Sequence, residues 1–193
     1  MDTVILASGS PRRRELLERV RIPFKVVSPQ VDETYGGALA PADHTTTLAR
    51  RKVEAVLALF RNEAPRWVLG ADTVVEADGT ILGKPADIEE AERFLSRLSG
   101  RVHRVHTGLA LHADRQRPME VEAVSTEVRF RSLDDEEIRR ALDSGEWAGA
   151  AGAYRIQERG AFLVEWIRGS WSNVVGLPLE AFYGMLKRTG YRF

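Results

Sequence analysis

The chain has 193 residues, of which 44% are hydrophobic and 29% charged, a composition typical of a globular protein with one substantial core. Its 28 basic and 28 acidic residues cancel at pH 7, so we expect neither nucleic acid nor a membrane surface as a stable partner. It contains no cysteine, which excludes disulfides, thiolate catalysis and cysteine-ligated metals and is compatible with the cytoplasmic location that we expect.

Hydrophobic periodicity and turn residues predict the elements in chain order. In the N-terminal half they are a strand at 4–7, a helix over about 11–19, a strand at 24–27, a long loop over 28–43, a long helix over about 45–62, and a strand over 67–77. The C-terminal half begins with a hairpin turn at 78–79 and a helix capped at Asp87 and stopped at Gly100. It continues with two long strands within 101–130, a helix over about 134–143, a loop over 145–160, a strand near 161–167 and a helix over about 178–188.

The apolar positions also predict which helix faces are buried. Ser10 is a favourable N-cap for the first helix, in which Leu16, Leu17 and Val20 recur at the spacing of one face. The inner side of the long helix is predicted to carry Leu48, Val53, Ala55, Val56, Leu59 and Phe60. Because strand–helix units alternate around a central hairpin, we expect an α/β fold with a mixed sheet, in one domain over 1–193.

The segment after the first strand is typical of a phosphate-binding turn. Ser8, Gly9 and Ser10 are small enough for backbone N–H groups to approach an anion closely, and the helix beginning at Pro11 carries partial positive charge at its N-terminus. The next residues, Arg12–Arg14, supply planar donors that match phosphate oxygens. The alternative is a capped helix with a solvated basic face.

Asp72 is the best single candidate for a catalytic residue. It follows the apolar run Val68–Ala71 within a predicted strand, where a carboxylate is costly unless it is paired or binds a metal. The alternative is a strand-end residue whose carboxylate is satisfied by neighbouring backbone groups.

Three further charged residues lie in different segments. Glu33 is in the long loop, and Lys84 follows the hairpin beside small residues. Lys84 is not part of a P-loop, because Pro85 stands where Ser or Thr is required, and on its own it is typical of an exposed turn lysine. Within Arg50–Lys52 only one or two members share a helix face, so we expect most of the run in solvent and at most one member in a cleft.

The histidines give no metal-ligand spacing. His103 and His106 are three apart in a predicted strand and therefore face opposite sides. With cysteine also absent, a bound metal is expected to be a hard divalent ion held by carboxylates and phosphate oxygens, as Mg²⁺ is. No G-x-S-x-G turn supports a serine hydrolase.

Seven short motifs follow one another along almost the entire chain. They are Leu6–Arg13, Val31–Glu33, Ala49–Lys52, Gly70–Val75, Leu82–Pro85, Gly152–Gln157 and Asn173–Pro178. Each motif alone is weak, but the seven in this order resemble the Maf family of nucleoside triphosphate pyrophosphatases.

The resemblance implies a fold, a reaction and an assembly. The fold is an elongated mixed β-sheet flanked by helices, similar to that of the inosine triphosphatases, with a cleft beside the sheet. The reaction is hydrolysis of a nucleoside triphosphate to the monophosphate and pyrophosphate, by metal-assisted water attack at the α-phosphate with Mg²⁺, Mn²⁺ or Co²⁺. The assembly is a homodimer.

The resemblance also assigns roles to individual residues. It gives a catalytic set and a substrate-binding set, namely Asp72, Glu33, Lys52 and Lys84 for the first and Ser8, Arg12, Arg13, Thr73 and Gln157 for the second. Asp72 would be the proton acceptor and, with Glu33, a metal ligand; which of these two roles Asp72 has is open.

Three of these positions separate subfamilies. Arg12, Thr73 and Gln157 match the branch that acts on dTTP and UTP. The chemistry agrees, because a glutamine amide both donates and accepts along a uracil or thymine edge.

Two departures from the family and two alternative functions accompany the resemblance. Arg155 stands where the family often has glycine, and Ala148–Ala151 replaces a more polar run. The alternatives are the same reaction on 7-methyl-GTP, or a non-catalytic nucleotide- or nucleic-acid-binding regulator of septum formation. Balanced charge and the lack of a DNA-reading motif count against the regulator.

Overall fold

A computed structural model describes residues 1–33, 39–60, 65–114 and 116–193 of the chain. Within them the strands are β1 Val4–Ala7, β2 Phe24–Val26, β3 Trp67–Ala77, β4 Thr80–Leu82, β5 Val102–His112, β6 Glu120–Phe130 and β7 Val164–Arg168. The α-helices are α1 Pro11–Arg19, α2 Pro41–Ala58, α3 Ile88–Leu98, α4 Asp135–Asp143, α5 Trp171–Val175 and α6 Leu179–Arg188. No helix in these described stretches is both long and apolar enough to cross a membrane.

The strands form one mixed sheet in the order β2-β1-β3-β5-β6-β7, with β4 paired to β3. Strand β1 runs parallel to both β2 and β3, whereas β4 is antiparallel to β3 and β7 is antiparallel to β6. The hairpin turn at Asp78 and Gly79 takes positive φ angles of 49° and 72°, the conformation that tight hairpins require. This architecture confirms the predicted α/β class with a mixed sheet.

Residue contacts divide the chain into two compact units. The first comprises residues 1–72, 107–124 and 176–193, and the second comprises 73–106 and 125–175. Each unit is assembled from separate stretches of chain, so neither can be excised as one continuous segment. The expectation of one domain over 1–193 stays a prediction.

The first unit is built around the contact of α2 with the sheet. Its apolar core joins buried residues of β1, α2, β3 and β5, namely Ile5, Ala7, Ala49, Val53, Val56, Val68 and Ala110. Gly70 makes this contact very close, because a Cβ there would lie 2.2 Å from the Ala49 carbonyl oxygen. Gly108 does the same on β5, where a Cβ would lie 2.3 Å from the Thr45 carbonyl carbon. Two glycines therefore set the distance between α2 and the strands beneath it.

The second unit has helices whose ends are capped as the sequence predicts. Asp87 accepts a hydrogen bond from the Glu90 backbone N–H at 2.8 Å, and α3 then buries Ala91, Leu95 and Leu98. The Asp134 carboxylate and Glu137 form a full capping box at the start of α4. These caps fix where α3 and α4 begin.

For α1, the predicted N-cap residue is confirmed and the predicted burial of Val20 is wrong. Ser10 occupies the N-cap position, but its side chain makes no capping hydrogen bond. The Ser10 backbone N–H instead donates to Ser8 Oγ at 3.3 Å. Val20 is 43% exposed rather than buried, because α1 ends at Arg19 and Val20 is already its C-cap.

The long helix α2 starts earlier and ends earlier than predicted. It begins at Pro41, whose fixed φ suits the first helical position, and ends at Ala58. Leu59, predicted on the inner side, lies beyond the helix end and is 66% exposed. Residues 61 and 62 of the predicted helix and 34–38 of the predicted loop are outside the described residues.

The region after α4 contains more regular structure than the predicted loop. Two 3-10 helices, Ala151–Ala153 and Arg159–Leu163, lie there, and the second delays the start of β7 to Val164. The short helix α5 follows β7, where the sequence predicts no helix. Neither feature has a hydrophobic period long enough to detect in the sequence.

Candidate active site

Three charged side chains of the first unit form one ion-paired group. Lys52 Nζ lies 2.7 Å from Asp72 Oδ1 and 2.6 Å from Glu33 Oε1. Lys52 and Asp72 are only 5% and 6% exposed, whereas the Glu33 side chain is 40% exposed. The structure thus brings together three of the four predicted catalytic residues from three separate segments.

The close approach of α2 to β3 explains why this group forms. Lys52 is one helical turn beyond Ala49, whose carbonyl faces Gly70. Asp72 is two residues beyond Gly70 on β3, and residues two apart in a strand point to the same face. The glycine therefore lets the lysine reach the carboxylate. The neighbouring Arg50 and Arg51 are exposed, so Lys52 is the member of the basic run that turns inward.

Arg13 is held in one orientation by two hydrogen bonds. Its Nε donates to the Gly176 carbonyl oxygen at 2.8 Å, and its Nη1 donates to Ser8 Oγ at 2.8 Å. Burial lowers the pKa of Arg13, and the negative charges of Asp72 and Glu33 act against that shift. An arginine remains protonated under such conditions. Ser8 and Arg13, both predicted substrate-binding residues, therefore lie together beside the carboxylates.

The other two arginines of the N-terminal run differ in exposure. Arg12 is half-buried, while Arg14 is exposed and donates to the Gly9 carbonyl oxygen at 3.1 Å. Of the three arginines, Arg13 is therefore the one that lies beside the ion-paired group of Lys52, Asp72 and Glu33.

Thr73, Lys84 and Gln157 belong to the second unit. Thr73 lies in β3 and is half-buried, and Lys84 is exposed at the turn after β4. The residue before Lys84 is fixed by a backbone bond, in which the Gly152 N–H donates to the Gly83 carbonyl oxygen at 3.1 Å. This bond joins the turn that carries Lys84 to the segment that carries Gln157.

The Gln157 amide has unused hydrogen-bonding capacity. Its Oε1 and Nε2 atoms are buried and have no hydrogen-bond partner within the described part of the chain. A buried polar group left without a partner costs about 1–3 kcal/mol. A ligand could therefore donate a hydrogen bond to the amide oxygen and accept one from the amide nitrogen.

The two departures from the family pattern contact each other. Arg155 has no positive φ, so its backbone does not require the glycine that is frequent there. Its Nη2 donates to the Ala148 carbonyl oxygen at 3.0 Å, and its Nη1 lies 3.4 Å from the Glu158 carboxylate. In this chain the arginine therefore ties the apolar run Ala148–Ala151 to the segment around Gln157.

The carboxylates of the ion-paired group are oxygen donors of the kind that a divalent cation requires. No cluster of three or more acidic, histidine or cysteine side chains occurs among the residues that the structure describes. Asp72 and Glu33 are nevertheless hard oxygen donors on either side of one cation, the Lys52 ammonium. Mg²⁺ commonly takes one or two carboxylates and completes its shell with phosphate oxygens and water. The two carboxylates fit such an ion.

One component of the site was missed in the sequence. Gly176, the acceptor for Arg13 Nε, lies in the last of the seven motifs, to which no role was assigned. Its neighbour Asn173 is fully buried and donates to the Val105 carbonyl oxygen and to Thr126 Oγ1, both at 2.9 Å. A backbone carbonyl leaves no residue-type signal, so only the motif itself could have indicated this position.

Comparisons with known proteins agree over nearly the full length. A family model described as Maf-like protein matches residues 3–189. A protein of Pelotomaculum thermopropionicum named dTTP/UTP pyrophosphatase is 45% identical over 99% of this chain and 98% of its own length. Proteins with the same name from Geotalea uraniireducens and Symbiobacterium thermophilum are 46% and 48% identical, over 98% and 99% of this chain and 96% of each relative. Among solved structures, the Staphylococcus aureus Ham1 protein aligns with a TM-score of 0.47 at 13% identity, covering 67% of this chain and 72% of that one.

Proposed function

The chain belongs to the Maf family, and on that premise we propose that it hydrolyses dTTP and UTP to the nucleoside monophosphate and pyrophosphate. The observation that carries the proposal is the buried Lys52 ion-paired with Asp72 and Glu33, in a chain whose full-length relatives are named dTTP/UTP pyrophosphatase. Hydrolysis of this kind needs positioned charge more than covalent chemistry, and charged groups of both signs are what this site supplies.

In the proposed reaction, water attacks the α-phosphorus and the bond to the bridging oxygen of the β-phosphate breaks. One P–O bond forms, one P–O bond breaks, and pyrophosphate leaves. Asp72 accepts the proton of the attacking water, and its ion pair with Lys52 holds the carboxylate in place for this task. Lys52 and Arg13, with Arg12 and Lys84, neutralise charge on the phosphate oxygens.

Glu33 and Asp72 would hold a divalent cation such as Mg²⁺, Mn²⁺ or Co²⁺. When bound, such an ion neutralises phosphate charge and makes a coordinated water more acidic. Ser8 would orient Arg13 through the 2.8 Å hydrogen bond between them, so that the guanidinium faces the substrate in one direction.

Gln157 is proposed to recognise the base. Its amide, buried without a partner in the described residues, matches the alternating acceptors and donor of a uracil or thymine edge. Because the amide atoms are buried in this structure, base binding requires the Gln157 side chain to rotate on its backbone. Arg12 and Thr73 are assigned to substrate choice with it.

Pyrophosphate release is the test. The protein is incubated with dTTP, UTP, CTP, GTP or 7-methyl-GTP and with Mg²⁺ or Mn²⁺, and kcat/KM is compared across the panel. We expect dTTP and UTP to be preferred, and D72N to lose at least about a thousandfold in kcat. The matched control is D143N, which alters an exposed carboxylate at the end of α4. Near wild-type turnover by a folded D72N protein would overturn the role of Asp72.

The same panel separates the alternatives. A preference for 7-methyl-GTP would refute the assignment from Arg12, Thr73 and Gln157, and no release from any nucleotide would favour a non-catalytic binding protein. We further propose a cytoplasmic homodimer, because dTTP and UTP are cytoplasmic metabolites and the family resemblance implies two copies. Size-exclusion chromatography with light scattering tests the assembly: the mass of two chains of 21.6 kDa would support the homodimer, and the mass of one chain would contradict it.

A further inference from the structure

Gln157 can recognise a base only if the segment that carries it, residues 154–160, is held in a defined place. We propose that Tyr154 and His103 are positioning residues, and that the hydrogen bond between their side chains holds this segment. The inference rests on the proposed function, because it is there that Gln157 is assigned to the base. Neither residue is proposed to touch the substrate.

The Tyr154 hydroxyl and the His103 ring form a buried contact within the second unit. His103 Nε2 lies 2.9 Å from Tyr154 Oη, and the two residues are 2% and 7% exposed. Phe130 completes the cluster: its ring centroid lies 4.8 Å from that of Tyr154 and 5.0 Å from that of His103, in edge-to-face arrangements. Such geometry is favourable for aromatic rings and fixes the plane of each.

The hydrogen bond is between two neutral groups. Burial lowers the pKa of His103 to about 4 and raises the pKa of Tyr154 above its usual value. His103 Nδ1 has no hydrogen-bond partner in the part of the chain that the structure describes, so the contact with Tyr154 is the hydrogen bond that orients the imidazole. Removing the hydroxyl would leave the ring without it.

The backbone before Tyr154 is strained, and it is held in place by contacts on both sides. Ala153 has a φ of 65°, which is disfavoured for a residue with a Cβ and persists only where its neighbours are fixed. On one side, Gly152 donates to the Gly83 carbonyl oxygen and packs so closely on Val75 that a Cβ would lie 2.9 Å from it. On the other side, the fixed neighbour is Tyr154.

The far end of the segment has its own anchor. The two oxygens of the Glu146 carboxylate accept hydrogen bonds from the Arg159 and Gly160 backbone N–H groups, each at 3.1 Å. Gln157 lies between these two anchors, three residues after Tyr154 and two before Arg159. Loss of the Tyr154 contact therefore releases one end of the segment and leaves the other end attached.

The test is Tyr154→Phe, which keeps the ring and removes the hydroxyl. The readout is the ratio of kcat/KM for UTP to that for CTP, since cytosine presents a different donor and acceptor pattern from uracil. We expect this ratio to fall about three- to tenfold, the size of effect expected from one hydrogen bond, through a higher KM for UTP with kcat nearly unchanged. Competitive inhibition by inorganic tripolyphosphate, which has no base, should be unchanged.

Tyr191→Phe is the matched control. Tyr191 is 5% exposed and donates to the Asp2 carbonyl oxygen at 2.6 Å, so this variant also loses the hydrogen bond of a buried tyrosine, a partly buried bond in the first unit. It should lose thermal stability without changing the UTP to CTP ratio. His103→Gln, which removes the imidazole, should lower the ratio as Tyr154→Phe does, and it provides the measurement if that variant does not fold.

Comparison with Gln157→Ala separates the failure of each idea. If Gln157→Ala lowers the ratio and Tyr154→Phe leaves it unchanged, the positioning role is overturned while the proposed function stands. The role is supported if the double variant discriminates no worse than Gln157→Ala alone. An unchanged ratio in Gln157→Ala overturns base recognition and the positioning role together, and absence of pyrophosphate release by the wild type overturns the proposed function itself.

Discussion

Replacing Lys52 with methionine keeps most of the volume of the side chain and removes the charge that faces two carboxylates. Asp72 is 6% exposed, and its carboxylate forms an ion pair with this lysine at 2.7 Å. Glu33 is in a different situation, because its side chain is 40% exposed and can turn to water. The variant therefore leaves one buried carboxylate without the lysine of its ion pair, with Arg13 as the remaining positive charge beside it.

The expected loss of stability follows from that difference. Removing one partner of a buried ion pair costs about 3–5 kcal/mol, and the solvated Glu33 places this case near about 3 kcal/mol. In a protein of 193 residues, 1 kcal/mol shifts Tm by about 2–4 °C. We therefore expect K52M to unfold about 6–12 °C below the wild type. The exposed Lys187 gives the control, K187M, which should shift Tm by no more than about 2 °C.

The double variant K52M/D72N tests whether the charge of the buried Asp72 carboxylate causes the loss of stability in K52M. If the loss comes from an uncompensated buried carboxylate, then neutralising that carboxylate should restore part of the stability, and the double variant should unfold about 3–6 °C above K52M. Thermal unfolding followed by circular dichroism at pH 7 measures all five proteins: the wild type, K52M, K187M, D72N and K52M/D72N. A double variant that is less stable than K52M, by the full effect of D72N, would show that the two charges are not coupled.

Three further expectations concern stability. Because the folded state holds His103 neutral, with a pKa of about 4 against 6.5 when unfolded, the free energy of unfolding should decline as pH falls from about 6.5 towards 4. Urea titrations at pH 7 and 4.5 should show that the free energy of unfolding declines by about 2 kcal/mol less in His103→Gln than in the wild type. Equal declines in the two proteins would contradict a neutral His103 in the folded state. Gly70→Ala should lower the unfolding free energy by about 2–4 kcal/mol, because its Cβ would lie 2.2 Å from the Ala49 carbonyl oxygen. Gly83→Ala, whose Cβ would meet nothing within 4 Å, should cost less than about 1 kcal/mol, so similar losses in both would argue against the close approach. Asn173→Ala, which removes two buried side-chain hydrogen bonds of 2.9 Å, should lower Tm by about 4–8 °C in calorimetry, and an unchanged Tm would count against them.

The fold could be predicted where a local signal is strong. Strand β3 and the turn at Asp78 have the predicted bounds, because a long apolar run and an Asp-Gly pair leave few alternatives. Helix ends are set by packing as well as by residue type, which is why Val20 and Leu59 lie outside the helices to which they were assigned. Short helices such as α5 contain too few residues to show a period.

The candidate site could be predicted only as a set of residues. Glu33, Lys52 and Asp72 were each indicated, but their ion pairing depends on how closely α2 approaches β3, a distance set by Gly70. Sequence spacing does not report such a distance. The burial of the Gln157 amide, which has no hydrogen-bond partner among the described residues, likewise depends on how the chain packs, and the hydrogen bond between Tyr154 and His103 joins segments far apart in the sequence.

The charges of Arg13, Lys52, Glu33 and Asp72 in the first unit also affect how a substrate approaches the protein. The positive charges of Arg13 and Lys52 cancel the negative charges of Glu33 and Asp72, and the chain as a whole has a formal net charge of 0 at pH 7. These four charges together therefore add little to the long-range attraction that accelerates the encounter of a triphosphate anion with the protein. Capture would then depend on contacts made only after arrival, a selective step rather than a fast one.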